Sequence, residues 1–335
     1  RVIYMSTIPN REIKNLSSKD VSKRRKAIRM LFESDDENNL QYFSKLITDD
    51  DPWFRSKAYE AYKMWAPRIG TKAIIPLVES NSIEANRQAA STLVLFDKDE
   101  ASVAKKLIDK EDNLCQIKAA EFLLKQNNNT DFFNLAKNHQ NPSLRKIALN
   151  SDYAKPEDYL DGLGDSSIKV INLCLEKLNI IANYLEDEDI KNLHENGASI
   201  PLLIEHSFHN GGNYFLELCH NLNSEYRSKL VSILNNNCQD LENARIKLLL
   251  QNNFHDIIGR WLQGKKSEKM DQLRWKIIED ENVDEITRAK MLERLFSRSD
   301  EDKIKEKAEL LIKNSKSELI ITAAQNLSTT NSRES

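Results

Sequence analysis

Six cations recur at a nearly constant spacing in the first half of this sequence, and their type and spacing suit the binding of a charged ligand. They are Arg24, Arg55, Arg87, Lys118, Arg145 and Lys169. On successive stacked helices such a row would have a spacing of about 8 to 10 Å and could follow a phosphate backbone or an acidic peptide. The alternative is a structural row, in which each cation binds a neighbouring helix cap or carbonyl. The structural row is favoured because the cations share the phase of the helix starts.

A second candidate is the strongly basic first helix, in which Lys23, Arg24, Arg25, Lys26 and Arg29 crowd around an apolar seam. Positions 25 and 29 are one helical turn apart and point the same way. In a chain of net charge -3, such segregated charge is typical of a surface that attracts nucleic acid or an acidic protein patch. A solvated face that caps one end of a repeat array is the structural alternative.

The helix predicted to begin at Pro52 carries a third candidate, a stripe of Arg55, Tyr59 and Tyr62. Tyrosine together with arginine is typical of protein-binding surfaces. Packing of this stripe against the next helix is the alternative. The predicted binding set combines residues of the basic first helix, the stripe and lysines of the Pro52 helix, and members of the cation row. Its residues are Arg25, Lys26, Arg29, Arg55, Lys57, Tyr59, Tyr62, Lys63, Arg87, Lys118 and Arg145.

Catalytic and metal-binding signatures are weak. None of the six histidines stands in an HExxH pair, and His206 with His209 lacks a convincing third ligand, so isolated surface histidines are the better interpretation. The sequence contains no Walker loop, no GxSxG nucleophile elbow and no GxGxxG fingerprint. We therefore predict no catalytic residue, no metal ligand and no cofactor.

The helices that would position these residues begin at a fixed interval. The starts, 31 residues apart in the first four copies and looser in the last two, are Asp20, Asp51, Ser82, Asn113, Asn141 and Asp165. Asp, Asn and Ser side chains accept hydrogen bonds from the first free amides of a helix, and proline fits the first helical position. A period of this length predicts a solenoid in which each helix pair buries its apolar face by stacking on the next.

The clearest copies occupy residues 51–58, Asp-Pro-Trp-Phe-Arg-Ser-Lys-Ala, and residues 141–148, Asn-Pro-Ser-Leu-Arg-Lys-Ile-Ala. With degenerate versions at 20, 82, 113 and 165, about half of the chain resembles the HEAT-like repeat families, particularly the short-repeat type also found in phycobilisome lyases. The resemblance implies that the Asp and Arg of successive repeats form a structural ladder, and it indicates a fold rather than a function. The repeated His-Glu pairs of HEAT-like iron hydroxylases are absent.

Composition agrees with a helical chain. Eight glycines and seven prolines in 335 residues are too few turn formers for a protein of many strands, given usual shares of about 7% and 5%. Charged residues make up 30% of the chain, which suits the large surface of an elongated array. The predicted fold class is all-α, an α-solenoid or superhelix of stacked antiparallel helix pairs.

The repeat pattern predicts four segments. Residues 1–19 are an N-terminal extension or an added remnant, together with the start of the first repeat, and residues 20–186 hold the regular repeats. The constant spacing is lost after the acidic run at residues 186–189. Residues 187–327 are therefore predicted to be divergent repeats or a C-terminal helical region, and residues 328–335 a frayed tail.

The expected location is the cytoplasm. No apolar run approaches the ~20 residues that a bilayer crossing needs, and the first residues do not read as a signal peptide. The four cysteines are far apart and none forms a CxxC pair, which favours a soluble protein of a reducing, intracellular compartment without a membrane partner. Oligomeric state is not specified by any of these features.

These features predict a non-catalytic scaffold or adaptor that binds a macromolecule on its concave, inner-helix surface. A protein partner is expected first, because a dedicated nucleic-acid binder is usually more basic than a chain of pI about 6.2. Nucleic-acid binding through the basic N-terminal repeats is the alternative. A third reading is a DNA alkylation-repair glycosylase, a HEAT-like class that looks like it uses tryptophans on a basic face. The tryptophans here are Trp53, Trp65, Trp261 and Trp275, although helix-core tryptophan is the default.

Overall fold

The computed structural model describes residues 10–96, 101–125 and 129–329, and these ranges contain helices, turns and no strand. Contacts divide the chain into two compact units, residues 1–174 and residues 175–335. Parts of two predicted segments, residues 1–9 and 330–335, lie outside the described residues.

The first unit consists of short helices in two rows. They are α1 (Asn10–Asn15), α2 (Val21–Ser34), α3 (Pro52–Ile69), α4 (Ile75–Val78), α5 (Ile83–Thr92), α6 (Ala101–Ile108), α7 (Asn113–Leu124), α8 (Thr130–Lys137), α9 (Pro142–Leu149), α10 (Pro156–Gly162) and α11 (Ile168–Ile180), which crosses the division between the units. Helix α3 packs on α5, α5 on α7 and α7 on α9, forming the inner row expected from the sequence. Helices α4, α6 and α8 pack on α5, α7 and α9 as the outer row.

Stacked helix pairs also make up the second unit. Its helices are α12 (Asp187–Glu195), α13 (Ile200–Asn210), α14 (Tyr214–His220), α15 (Ser224–Asn237), α16 (Ala244–Gln251), α17 (His255–Trp261), α18 (Glu268–Glu279), α19 (Glu285–Glu293), α20 (Asp302–Asn314) and α21 (Glu318–Thr329). The odd-numbered helices from α13 to α21 pack each on the next. The predicted fold class, an all-α solenoid of stacked helix pairs, is confirmed for the described chain.

Two outer elements are not single α-helices. Residues Glu37–Leu46 form a 3₁₀ helix. The segment from Thr71 to Val78 is divided into a 3₁₀ turn, Thr71–Ile74, and the short helix α4. Pro76 stands at the start of α4, where a missing amide is tolerated, whereas it would remove a hydrogen bond from the middle of a longer helix.

Side-chain caps confirm four of the predicted helix starts. In each, the side chain accepts a hydrogen bond from the backbone amide two or three residues further on; these caps are Asp20, Asp51, Ser82 and Asn141. Proline follows the cap at positions 52 and 142. Cap and proline together fix where each inner helix begins.

The two remaining starts are displaced from the predicted residues. Helix α7 is capped by Asp112 rather than Asn113, because the Asp112 carboxylate accepts from the Cys115 amide at 3.1 Å. Asp165 accepts from the Ser167 amide at 2.7 Å, and α11 begins only at Ile168. The third interval, from Ser82 to Asp112, is therefore one residue shorter than the sequence pattern indicated, and the fourth is one residue longer.

Counted from the observed caps, the seventh residue of five repeats is an alanine. These residues, each at most 1% exposed, are Ala27, Ala58, Ala89, Ala119 and Ala148. A methyl group at this position lets neighbouring helices approach closely, so a larger side chain would have to displace a packed helix.

Replacing Ala58 by leucine tests this packing. We expect the free energy of unfolding to fall by about 1 to 3 kcal/mol, because the larger side chain overpacks a closed site. Chemical denaturation measures the change. Ser56→Leu is the matched control, since it places the same side chain at an exposed position of α3. Unchanged stability of the Ala58 variant would contradict close packing at this position.

Candidate functional site

In five repeats of the first unit, the fourth residue after the inner-helix cap is a side-chain donor that binds the turn before its own helix. These residues are Arg24, Arg55, Asn86, Gln116 and Arg145. Arg55 Nη1 donates to the carbonyls of Asp49 and Asp50 at 2.8 and 3.1 Å. Arg145 Nη1 donates to the carbonyls of His139 and Gln140 at 2.7 and 2.8 Å. We name this position the turn-binding donor.

Amide side chains serve as the turn-binding donor in two repeats. Asn86 Nδ2 donates to three carbonyls between residues 77 and 80, at 2.8 to 3.1 Å. Gln116 Nε2 donates to the carbonyls of Ile108 and Lys110 at 3.3 and 3.0 Å. Carbonyls at the end of a helix lack an intrahelical donor. The turn-binding donor therefore satisfies the end of each outer element and joins it to the next inner helix.

The second unit repeats this arrangement in α19. Asp284 caps the helix by accepting from the Thr287 amide at 2.8 Å. Four residues after the cap, Arg288 Nε donates to the carbonyl of Ile278, near the end of α18, at 2.7 Å. Arg288 is buried, so its guanidinium serves the fold and not the surface.

Three of the arginines at this position also reach an acid of the following repeat. Arg24 pairs with Asp49, and Arg55 Nε lies 3.4 Å from a carboxylate oxygen of Glu84. Arg145 makes a two-point bond to Asp165, from Nε at 2.6 Å and from Nη2 at 2.7 Å. These contacts account for three members of the predicted cation row as structural bonds between neighbouring repeats.

The other predicted members of the row do not bind the preceding turn in this way, although Lys169 also stands four residues after a capping residue, Asp165. Arg87 is five residues after Ser82 and pairs with Asp112 at 2.8 Å while more than half of its side chain stays exposed. Lys118 Nζ donates to Glu121 of its own helix at 2.8 Å. Lys169 is exposed. A single regular row of six cations is therefore wrong for this chain.

The aromatic stripe predicted on α3 belongs to the core. Tyr59 is buried, and its hydroxyl donates to the carbonyl of Ile47 at 3.3 Å. Tyr62 is also buried, and burial raises its pKa to about 12. Neither ring forms an exposed surface, contrary to the binding set expected from sequence. On the same helix Lys57 is half-buried and bonds to Glu60 at 2.5 Å, whereas Lys63 is exposed.

Three exposed members of the predicted set, Arg25, Lys26 and Arg29, lie together on α2, which carries five cations and one carboxylate. Val21, Arg25 and Arg29 follow one another four residues apart and are all exposed, so they form one stripe along the helix. The Arg25 guanidinium lies 5.1 Å from the ring centroid of Trp53 on α3. We name this surface the α2 basic face; its residues are Val21, Arg25, Lys26, Arg29 and Trp53.

The α2 basic face is suited to carboxylates. Asp51, at 3.9 Å, is the one acid near Arg25 within the described ranges, and no ion pair involves Lys26 or Arg29 there. A guanidinium held against an indole keeps its planar N–H groups available for a two-point bond to an acid. The face therefore combines free positive charge with an apolar aromatic surface.

A groove of about 1080 Å³ lies between α18 and α20 of the second unit. Arg298 donates to Asp271 at 2.9 Å and to Glu301 at 2.6 Å, and Lys307 donates to Glu279 at 2.6 Å. Each of these charges is thus neutralised within the groove wall. Such internal pairing leaves the groove less suited to a charged ligand than the α2 basic face.

His206, one of the two neighbouring histidines of α13, belongs to the core. His206 is fully buried, contrary to the surface position expected. Its Nδ1 accepts from the Leu185 amide at 3.3 Å and its Nε2 donates to the Leu175 carbonyl at 3.1 Å, which requires the neutral ring. Burial lowers the pKa of His206, which also favours the neutral ring. Over the described ranges, no three His, Cys, Asp or Glu side chains are grouped so as to hold a metal.

Two tryptophans considered for base stacking are fully buried. Trp65 Nε1 donates to Asp35 at 2.9 Å, and Trp261 Nε1 donates to the Cys238 carbonyl at 3.3 Å. Both indoles therefore have their polar group satisfied inside the protein, as buried tryptophan usually does. Trp275 is also largely buried and lines the α18–α20 groove, whereas Trp53 lies on the α2 basic face.

Comparison of the sequence with protein-family models gives no match, and no curated protein is similar enough to count as a relative. In the part of the chain that the structure describes, none of the helices has both the length and the apolar character that a membrane crossing needs. Function must therefore be argued from the surfaces described above.

Arg145→Met tests the turn-binding donor. The substitution leaves the Asp165 carboxylate and the two carbonyls at residues 139 and 140 without their donor in a site where both side chains are at most 13% exposed. We expect the free energy of unfolding, measured by chemical denaturation, to fall by about 2 to 4 kcal/mol. Arg87→Met is the control, with an expected loss below about 1 kcal/mol because the Arg87 side chain is more than half exposed to solvent. Equal losses would contradict the structural role.

The bond between Arg145 and Asp165 also predicts a pH dependence. The hydrogen bond from Arg145 is the main cause that lowers the pKa of Asp165 in the folded chain. Its stabilisation is fully present above the ordinary Asp pKa of about 3.9 and is lost as the pH falls through the lowered folded-state pKa. The difference in unfolding free energy between wild type and Arg145→Met should shrink over that acid range. A difference that stays constant there would argue against an ionised Asp165.

Proposed function

We propose that this chain is a non-catalytic, HEAT-like scaffold that binds an acidic segment of a partner protein on the α2 basic face. The observation that carries the proposal is the Arg25 guanidinium against Trp53, 5.1 Å from the ring centroid, beside exposed Arg29 and Lys26. Tryptophan and arginine dominate the binding energy of protein interfaces. The free cations provide the charge complement of an acidic segment.

Exposed apolar side chains at the starts of the inner helices support an extended protein segment. Val21, Ile83 and Leu114 occupy the first or second helical position of α2, α5 and α7, and they are 44%, 61% and 39% exposed. Exposed Pro52 holds the equivalent position in α3. These exposed apolar side chains form a row that begins at the α2 basic face. Such a row favours a partner segment with both acidic and apolar residues.

The charge distribution favours a protein partner over nucleic acid. The net charge of the chain is -3, and Arg24, Arg55 and Arg145 are committed to carbonyls and carboxylates. A nucleic-acid track needs cations that remain free along its length. The four cysteines are unpaired and buried, which suits the reducing, cytoplasmic location that we propose with this function.

Reversing the charge of the α2 basic face tests the proposal. The variant Arg25→Glu, Lys26→Glu and Arg29→Glu should keep its helical circular dichroism, because all three side chains are exposed, and should lose the partner. The measurement is affinity capture from native cells with mass spectrometry, followed by calorimetry on the purified partner. Affinity should fall by about 100-fold, since each lost charged bond costs about tenfold or more and neighbouring losses are not additive. Retention of the same partner at unchanged affinity would refute the proposal.

The matched control is Lys191→Glu, Lys313→Glu and Lys316→Glu, which changes the net charge equally at exposed positions of the second unit. This control should bind the partner as wild type does. A second measurement uses short single-stranded and duplex oligonucleotides at low ionic strength. Tight, salt-dependent binding of oligonucleotides that the α2 variant loses would assign the face to nucleic acid instead.

A further inference from the structure

A small pocket in the second unit has an excess of positive charge that the fold does not neutralise. The pocket has a volume of about 340 Å³ and is formed by α15, α17, α19 and their adjoining turns. Four permanent cations and two carboxylates line it: Arg227, Arg260, Lys290, Arg294, Asp256 and Asp284. None of them belongs to the binding set expected from the sequence.

Both carboxylates of the pocket are already engaged. Asp256 accepts from Arg227 Nη1 at 2.8 Å. Asp284 caps α19 and accepts from the Thr287 amide at 2.8 Å. Arg260, Lys290 and Arg294 consequently have no ion pair with any residue that the structure describes. Their positive charge is therefore available to bind an anionic ligand.

The packing of α17 and α19 brings two of these cations together. Gly259 precedes Arg260 in α17, and a Cβ at this glycine would lie 2.9 Å from Met291 Cγ and 3.2 Å from Arg294 Nη1. The absence of a side chain at Gly259 therefore makes room for the half-buried Arg294. Burial and, second, the charge of Arg260 lower the pKa of Arg294. The charge of Arg260 therefore opposes that of Arg294, and the nearby carboxylates of Asp256 and Glu293 offset only part of the combined effect of burial and repulsion.

The Arg227 guanidinium is only partly bound by the fold. Its Nη1 pairs with Asp256, whereas its Nε is buried and has no hydrogen-bond partner within the described part of the chain. A buried N–H without an acceptor is rare and costly. An oxyanion in the pocket would supply acceptors to the exposed N–H groups of the cations that line it.

We propose that this pocket binds the phosphate group of a small phosphate monoester. Arginine suits this role, because its planar N–H groups match the oxygens of phosphate in two-point bonds. The net excess of two positive charges in the lining complements a monoester, which carries about -1.5 to -2 at neutral pH. The volume is near the lower end of ligand pockets, about 300 to 1,000 Å³. Ile286, 59% exposed in the lining, offers an apolar contact to the organic part.

Calorimetry and thermal unfolding of the full chain in chloride buffer test the proposal. Inorganic phosphate and glycerol phosphate are the probes, and dimethyl phosphate represents a phosphodiester. Both probes should bind wild type and raise its melting temperature. Arg294→Gln should weaken binding by about tenfold or more. In chloride alone this variant should melt at or above the wild-type temperature, because one of two facing like charges is removed.

Two further variants keep the test decisive if Arg294→Gln does not fold. Lys290→Gln changes an exposed pocket residue and should weaken binding several-fold. Lys276→Gln, at an exposed position of the α18–α20 groove, should bind as wild type. The proposal is overturned by an absence of binding to wild type or by equal affinity in Lys290→Gln and Lys276→Gln. It is also overturned if dimethyl phosphate binds as tightly as the monoesters, which would indicate a nucleic-acid backbone.

Discussion

The hydrogen bonds from the fourth residue of each inner helix to the turn before it are the interaction on which the repeat depends. Each outer element ends in carbonyls that no helix satisfies, and Arg55, Asn86 and Gln116 each place a donor among them. The bond fixes the angle at which the chain enters the inner helix. The buried alanine three residues later can then face the neighbouring helix. Stacking of the repeats follows from these two positions.

This constraint divides the basic residues into two classes. Arg145 and buried Arg288 hold turns and carboxylates of the fold, so they are not free to bind a partner. Arg25 and Arg29 project from α2, and Arg260 and Arg294 converge on a pocket whose acids are engaged elsewhere. The proposed binding sites are formed mainly by cations that make no close ion pair or turn hydrogen bond within the described part of the chain. Net charge alone cannot distinguish the two classes.

The sequence pattern predicted the helix starts correctly where a segment contains one clear capping residue. The capping residues Asp51 and Asn141 are each followed by proline, so each of these two segments has one possible helix start. At residues 112 and 113 two potential caps stand side by side. Counting from Asn113 pointed to the cation Lys118, whereas counting from the observed cap, Asp112, gives Gln116 as the turn-binding donor. The odd-numbered helices from α15 onwards begin at residues 224, 255, 285 and 318, spacings close to those of the first unit. The residues before these helices differ in type, among them Asn223, Phe254 and Asp284, so the sequence pattern did not show this regular spacing.

The sequence by itself determined the helical class, the period of the first repeats and the basic character of α2, because caps, prolines and charge act within a few residues along the chain. Only the tertiary structure decided that Tyr59 and Tyr62 are buried and that Arg145 is bound to Asp165. It also decided that Arg260 and Arg294 meet at one pocket. The physical reason is that burial and pairing depend on which helices become neighbours. Residues far apart in the chain then compete for the same acids and the same space.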